Sequence, residues 1–398
     1  MKTRFKLCVI AGSLFVLGNV SNCFGKSNSK GVNVEVKNNL DFNRKEIISI
    51  QRDKLSELLK NNPEKAICVK VFGTKKYLPT QWIDYDNDGK GDEFLFEVDI
   101  KANSTVNYSI VSDAIKVPES KARTYSRFVP ERIDDYAWEN NKVAFRAYGP
   151  VAQQLVEQHK EGGTLSSGID IWLKKVDYSI IDNWYKKNVT SPGYYHIEHG
   201  EGYDPYHVGA SRGTGGAGIW VNDSLQVAKN YTSYKTIATG PLRTVFELTY
   251  APWSSYGVHE TKRISLDLDS NFSKFEISFR SDKKIPNYTL GITLHEKKGE
   301  ININKDKGWF RHWEAIDDSF VGEGIVLNPK IVTDAFANNS KVPDQSNLLI
   351  VTNSESKLTY YAGFAWTGSK QVSNVMEWDA MLVKQAAIIA NPLQVIIK

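Results

Sequence analysis

The stretch from Tyr194 to Gly218 concentrates side chains that move protons. His196, His199 and His207 are three of the chain's seven histidines, and they interleave with Tyr194, Tyr195, Tyr203 and Tyr206. Imidazole and phenol are groups that exchange protons with hydroxyls and carbon acids. Arg212 follows in a run rich in glycine. Glycine and Pro205 exclude a long helix here, so the stretch reads as a long loop on a scaffold, where functional groups gather. His196 and His199 are separated by only two residues and followed by Gly200, which is not the spacing of a helical zinc motif. The glycine run lacks the Gly-x-x-x-x-Gly-Lys-Ser/Thr pattern, so nucleotide binding is discarded.

Two further segments carry charge in a pattern. Arg127, Arg132 and Arg146 lie close to Glu131, Asp134, Asp135 and Glu139, with Tyr136 and Trp138 between them. Arginine recognises carboxylate or sulfate through a planar, two-pronged contact, and tryptophan stacks on a sugar face. The same residues read structurally as an internal Arg–acid network tying two sheets together. Asp84, Asp86 and Asp88 alternate before Gly89, with Asp92 further on, like the start of a calcium loop. Leu95 stands where that loop needs a bidentate Glu, and the flanks read as strands. The segment is read as an acidic hairpin turn, with structural calcium at Asp84, Asp86, Asp88 and Asp92 as its functional alternative.

The elements that must position these groups are strands. Val32–Val36, Phe94–Val98, Thr244–Tyr250 and Lys262–Leu268 alternate apolar and polar residues, as a strand with one wet face should. Asn87-Asp88-Gly89, Asp269-Ser270-Asn271 and Ser281-Asp282-Lys283 supply turns. Helical periodicity is sparse, with Asp53–Lys60 and Val151–His159 as short candidates. Asp170, Trp172 and Lys174 share one face of a strand. His295-Glu296 follows the strand Leu290–Leu294, and His312 lies among Trp309 and Trp313. The fold class is all-β, as packed sheets with few short helices. A weak boundary falls near residues 115–130.

Lys2, Arg4 and Lys6 precede an apolar run from Leu7 to Val20, too short to span a bilayer. Residues 1–25 therefore read as an export signal, and the periplasm is the expected destination. Val20-Ser21-Asn22-Cys23 is a poor lipoprotein signal, which leaves an outer-membrane anchor at Cys23 as the alternative. No other stretch reads as a membrane span. Without the three N-terminal cations the balance is 47 Lys+Arg against 46 Asp+Glu, a net of +1. That excludes the charge excess of a nucleic-acid partner. Three cysteines, Cys8, Cys23 and Cys68, exclude both a disulfide framework and a cysteine metal site.

Pro130-Glu131-Arg132, Asp135 to Asn140, Ala144-Phe145-Arg146, Gly168 to Trp172 and above all Tyr195-His196-x-x-His199-Gly200-Glu201-Gly202 together resemble a secreted family, long labelled as of unknown function, in polysaccharide-degrading bacteria. The resemblance spans nearly the whole mature chain. It implies a galactose-mutarotase-like β-supersandwich over residues 121–398, with residues 26–120 as a β-rich part packed on it. One branch resembles an oligosaccharide dehydratase of marine ulvan degradation. That reaction removes water from a non-reducing-end uronic acid of a sulfated rhamnose–uronate oligosaccharide, and needs no cofactor. A proton leaves C5 beside a carboxylate, so a cation must neutralise that group, a base must take the proton, and an acid must protonate the departing hydroxyl. The expected roles are His199 or His207 as base, Tyr203 or His196 as acid, and Arg132, Arg146 or Arg212 as clamp. Trp138, Asp170 and Lys174 complete the expected substrate contacts. A lyase, hydrolase, epimerase, mutarotase or non-catalytic sugar-binding protein are the competing readings. A hydrolase would use Glu201 and Asp204 as its carboxylate pair.

Overall fold

A computed structural model describes residues 31–398 except 114, 116, 117, 121, 207, 343 and 344. Residues 1–25, read from the sequence as an export signal, and Cys23 lie outside the described residues, as does His207. The molecule is mostly β, built from several sheets. Its centre is a sandwich. One layer is an eight-stranded sheet in the order Tyr231–Thr239, Arg243–Trp253, Val258–Asp267, Phe272–Arg280, Lys357–Trp366, Ser319–Leu327, Trp309–Ile316 and Glu300–Asn304. Every neighbouring pair in it is antiparallel. Burial alternates residue by residue along Val258–Asp267, the signature of one face turned inward.

Two five-stranded sheets contribute to the opposing side. One runs Ser224–Gln226, Thr214–Val221, Tyr288–Thr293, Asn347–Thr352 and Val332–Asn338. The other, called here the site sheet, runs Gly202–Tyr203, Asp170–Lys174, Ala144–Ala147, Asp135–Glu139 and Tyr125–Val129. A single parallel bridge between Ile169 and Gly213 joins the two. Side chains from all three sheets share one apolar core, including Phe145, Ile171, Phe246, Leu290, Phe310 and Ile325.

The site sheet differs from an ordinary half-wet sheet. Ala144–Ala147 and Asp170–Lys174 are buried at every position. Phe145 and Ile171 face the shared core, whereas Ala144 and Trp172 face a second cluster with Trp184 and Tyr185. Those last two belong to the helix Ile181–Thr190, which lies over the outer face. The chain then turns through Tyr194–His196 and places Tyr195 in the same cluster.

Residues 32–112 form a further pair of sheets with their own core, of three and five strands. They pack on the central sandwich through Ile47, Ile83 and Leu95 against Leu242, Val245 and Leu268. The last strand, Gln394–Ile397, returns to pair with Val32–Lys37, so the C-terminal end of the chain belongs to this N-terminal layer. A 16-residue helix, Val375–Ala390, is the longest and was not anticipated. Asn374 accepts from the amide of Glu377 and Glu377 accepts from that of Ser373, a reciprocal cap. No helix among the described residues is long and apolar enough to cross a membrane.

Candidate functional site

Strand register builds the site. Arg146 and Asp170 are direct partners on adjacent antiparallel strands, on the outer face of the site sheet. The Arg146 guanidinium contacts Asp170 through Nε and Asp204 through Nη2 at 2.7 Å, and Asp135 lies 3.7 Å from Nη1. It sits 5.3 Å from the ring centres of Tyr148, Trp172 and Tyr195. Burial works against its charge, but Tyr148, Asp170 and Asp204 hold its pKa well above the usual value. Burial and the neighbouring Asp170 push the Asp204 carboxyl well up, and burial raises Asp135 to about 6.

Above this network opens a cleft of about 380 Å³ lined by Arg132, Arg146, Tyr148, Thr164, His196 and Tyr206, among others. Arg132 donates to the Tyr195 hydroxyl at 3.2 Å and to the Gly162 carbonyl at 3.0 Å. Among the described residues no carboxylate lies within ion-pair distance of it. A half-buried guanidinium that feels Asp135 only from beyond contact distance is a site for an anionic group. The Tyr195 hydroxyl also meets Arg146 at 3.3 Å, so one phenol spaces the two cations.

His196 is half-exposed on the same wall, and its Nδ1 lies 2.9 Å from the Asp204 carbonyl. A carbonyl only accepts, so Nδ1 carries the proton and Nε2 keeps its lone pair. Partial burial and the Arg146 and Arg132 cations lower its pKa below the ordinary imidazole value. A neutral imidazole beside the Arg132 guanidinium can deprotonate a carbon next to a bound carboxylate.

Several expectations need correction. Trp138 is fully buried in the core and donates to Ser273 at 2.9 Å, so it cannot stack on a ligand. Lys174 is sealed in an ion pair with Glu139 at 2.7 Å. Arg212 is buried and turns inward to Ser167 and the Ala217 carbonyl. These three cannot bind substrate. Asp170 acts as the partner of Arg146 and Tyr148 rather than as a ligand contact. His199 is exposed, stacks on Tyr194 at 4.1 Å and does not line the cleft. Tyr203 gives its hydroxyl to Asp317 and also lies off the cleft. Glu201 is held by Trp184 and Tyr178, and Asp204 is buried beneath Arg146, so the two do not face one another across the cleft as a hydrolase pair.

In the acidic turn, Asp84, Asp86 and Asp88 gather within reach of one ion, but Asp92 instead accepts the amide of Tyr85 at 2.7 Å. The backbone amides of Asn87, Gly89, Asp88 and Lys90 already use oxygens of the other three.

Tyr148 and Tyr206 line the cleft without having been singled out for roles. A larger groove of about 710 Å³ lies between the N-terminal layer, the eight-stranded sheet and the long helix. Its Lys45, Arg243, Arg263 and Lys274 hold carboxylates, while Lys142 and Lys384 on the same wall form no ion pair among the described residues; none of the proton-exchanging side chains of the smaller cleft lies there.

Fold and cleft together define a β-sandwich protein only in outline, and comparison with known proteins narrows it. The chain belongs to the family described as domain of unknown function DUF4861, whose model matches residues 36–395. It is 44% identical over 396 residues to uncharacterized protein P7 of Formosa agariphila, covering 98% of each chain. Among solved structures it is similar to a glycosyl hydrolase family 38 protein from Enterococcus faecalis, with a TM-score of 0.54 at 11% identity over 92% of this chain. An alpha-mannosidase of the same organism aligns with a TM-score of 0.47 at 9% identity, again over 92% of this chain. The chain spans about half the length of these two, 47% and 46%. The first likeness supports a β-rich sandwich and speaks to fold alone.

Proposed function

We propose that this protein is an exported, carbohydrate-active hydro-lyase on a galactose-mutarotase-like supersandwich. Its reaction removes water from the non-reducing-end uronic acid of ulvan-type oligosaccharides and leaves a 4,5-unsaturated uronyl end. The observation that carries this reading is the cleft that joins Arg132, which has no carboxylate in ion-pair contact among the described residues, to a neutral His196. Arg132 receives the uronate carboxylate and stabilises charge that builds there as C5 loses its proton. Nε2 of His196 takes that proton, and the C5–H electron pair becomes the C4–C5 double bond as the C4–O bond breaks. Where hydrogen and hydroxyl leave from one face, the resulting imidazolium returns the proton to the departing oxygen, and water is released. Arg146 and its carboxylates hold the wall rigid beneath.

Mass spectrometry of a uronate-capped, sulfated rhamnose–uronate oligosaccharide tests the reading. The expected product keeps its chain length, loses one water and gains ultraviolet absorbance. Two shorter chains would show a lyase or a hydrolase instead, and unchanged mass an epimerase or a binding protein. Arg132→Ala should lower kcat/KM by roughly 10- to 100-fold, the worth of one charge-assisted contact. Full activity of that variant would remove the clamp from the proposal.

A further inference from the structure

A second constellation lies behind the cleft. His312 and Glu314 alternate along the strand Trp309–Ile316, and Glu323 lies on the neighbouring strand Ser319–Leu327. On these strands Phe310, Val321 and Ile325 face the shared core, so His312, Glu314 and Glu323 point into the sandwich. His295 arrives from the opposing layer, just beyond the strand Tyr288–Thr293. One ligand atom from each of the four residues lies within 4.8 Å of all the others.

We infer that His295, His312, Glu314 and Glu323 bind one divalent first-row transition metal ion, of which zinc is the representative. Three observations support this. First, Glu314 and Glu323 are 8% and 1% exposed, and their only basic partners among the described residues are His295 and His312. Two buried negative charges need two positive ones, supplied either by two imidazolium ions or by a divalent ion with two neutral imidazoles. Second, the donors are close to where an ion needs them. About a tetrahedral zinc with bonds of ~2.0–2.1 Å, donors stand roughly 3.3 Å apart. His312 Nδ1 lies 3.4 Å from Glu323, whereas His295 Nδ1 and Glu314 stand 2.5 Å apart in direct contact and would separate by under an ångström to admit the ion. Third, the His312 ring presents Nδ1 to Glu323, and its buried Nε2 makes no hydrogen bond among the described residues. Gly299 closes over it so tightly that a Cβ there would lie 2.1 Å from Nε2, so this imidazole is fitted into place.

The donor types set the metal class. Two imidazoles favour zinc and its neighbours over calcium or magnesium, which prefer oxygen alone. Both carboxylates have outer contacts that orient them. Tyr206 donates to Glu314 at 2.6 Å and stacks on His295 with ring centres 3.9 Å apart. Thr214 donates to Glu323. Because Tyr206 also lines the cleft, the ion would fix one cleft wall without touching the substrate. The inference does not depend on which reaction the cleft performs.

The test uses the mature protein, stripped with a chelator and repleted with Zn²⁺. The expected result is one tightly held equivalent per chain, not displaced by excess Ca²⁺, with X-ray absorption showing two imidazoles in the zinc shell. Glu314→Gln and His295→Ala should each weaken zinc binding by about tenfold or more, while Asp86→Asn in the acidic turn leaves it unchanged. The inference is overturned if the wild-type protein binds no zinc, or if its zinc shell contains no imidazole. It also fails if both cluster variants keep full affinity, or if only the acidic-turn variant loses it. The spectroscopic arm uses wild-type protein, so a variant that misfolds does not blunt the test.

Discussion

His196 and His199 are two residues of one motif with different environments. His196 has an Nδ1 fixed on the Asp204 carbonyl and an Nε2 left for the cleft, whereas His199 lies in solvent against Tyr194. His196→Ala should therefore lower kcat/KM by roughly 10²–10⁴-fold, the usual worth of a positioned acid–base group, and His199→Ala by no more than a few-fold. Equal losses in both would sink the assignment of the base to His196. The pH profile follows from the same contacts. The active form is the neutral imidazole, and the folded protein disfavours the charged form. Activity should hold at pH 6.5, the ordinary imidazole value, and fall only as pH drops through a lower one. A profile already half lost at pH 6.5 would contradict this. At this scale the sequence was readable wherever residue type alone mattered. His196, Arg132 and Arg146 were chosen for their chemistry and line one cleft, but His196 was expected as an acid, with His199 or His207 as base. Arg212 and Trp138 were chosen on the same grounds and failed, because residue type does not report burial.

At the scale of the element, the site sheet explains that failure. A strand with one wet face puts its polar residues in water, but Asp170–Lys174 is covered on both sides. Its charges then need partners inside. Lys174 holds Glu139 and the Asn140 carbonyl, and Glu139 accepts the amides of Ile180 and Ile181 where the helix Ile181–Thr190 begins. This is the Arg–acid network that the sequence offered as its structural alternative, with Lys174 in place of an arginine in this branch. Lys174→Met would strand the Glu139 carboxylate in the interior and should cost roughly 3–5 kcal/mol in chemical denaturation. Adding Glu139→Gln removes the stranded charge while keeping an acceptor for the helix, so the double variant should regain part of the loss. If the double variant were less stable than Lys174→Met alone, the two side chains would not be acting as a pair. Alternation made the strands legible, but the cover on the outer face was not, because the helix Ile181–Thr190 that supplies it shows only a short apolar periodicity in the sequence, at Ile181, Trp184 and Tyr185. The His295–Glu323 cluster was obscure because its residues come from opposing layers of the sandwich. His295 and His312 stood out singly, and Glu314 falls in step with His312 and a core phenylalanine, but no local pattern brings the two layers together.

At the scale of the whole molecule, the chain closes on itself. The boundary near residues 115–130 separates two β-rich parts, yet the strand Gln394–Ile397 crosses back to extend the N-terminal sheet. No local pattern predicts this, since strand pairing across more than 300 residues leaves no periodic trace. The two layers are also clipped together by Gln81. Its buried side chain donates to the Arg243 carbonyl and accepts the amides of Leu242 and Arg243. The last strand matters most, because it covers an edge. Leu393, Val395 and Ile397 pack on the N-terminal core, and without them Val32–Lys37 would present an open row of backbone donors and acceptors. Removing residues 392–398 spares the Asn391 carbonyl that holds Arg44, so the loss is confined to the strand. Three partly buried aliphatic side chains at ~1 kcal/mol each put the cost near 3 kcal/mol. The truncated protein should unfold at lower temperature, with faster hydrogen exchange in residues 32–112 than in the central sandwich, and should aggregate more readily through the uncovered edge. The cleft lies in the central sandwich, so kcat/KM measured below the melting transition should stay close to that of the intact chain. An unchanged melting temperature would mean that the N-terminal layer is held by its contacts with the sandwich alone. Loss of activity in the folded, truncated protein would mean that the layers are coupled through to the cleft.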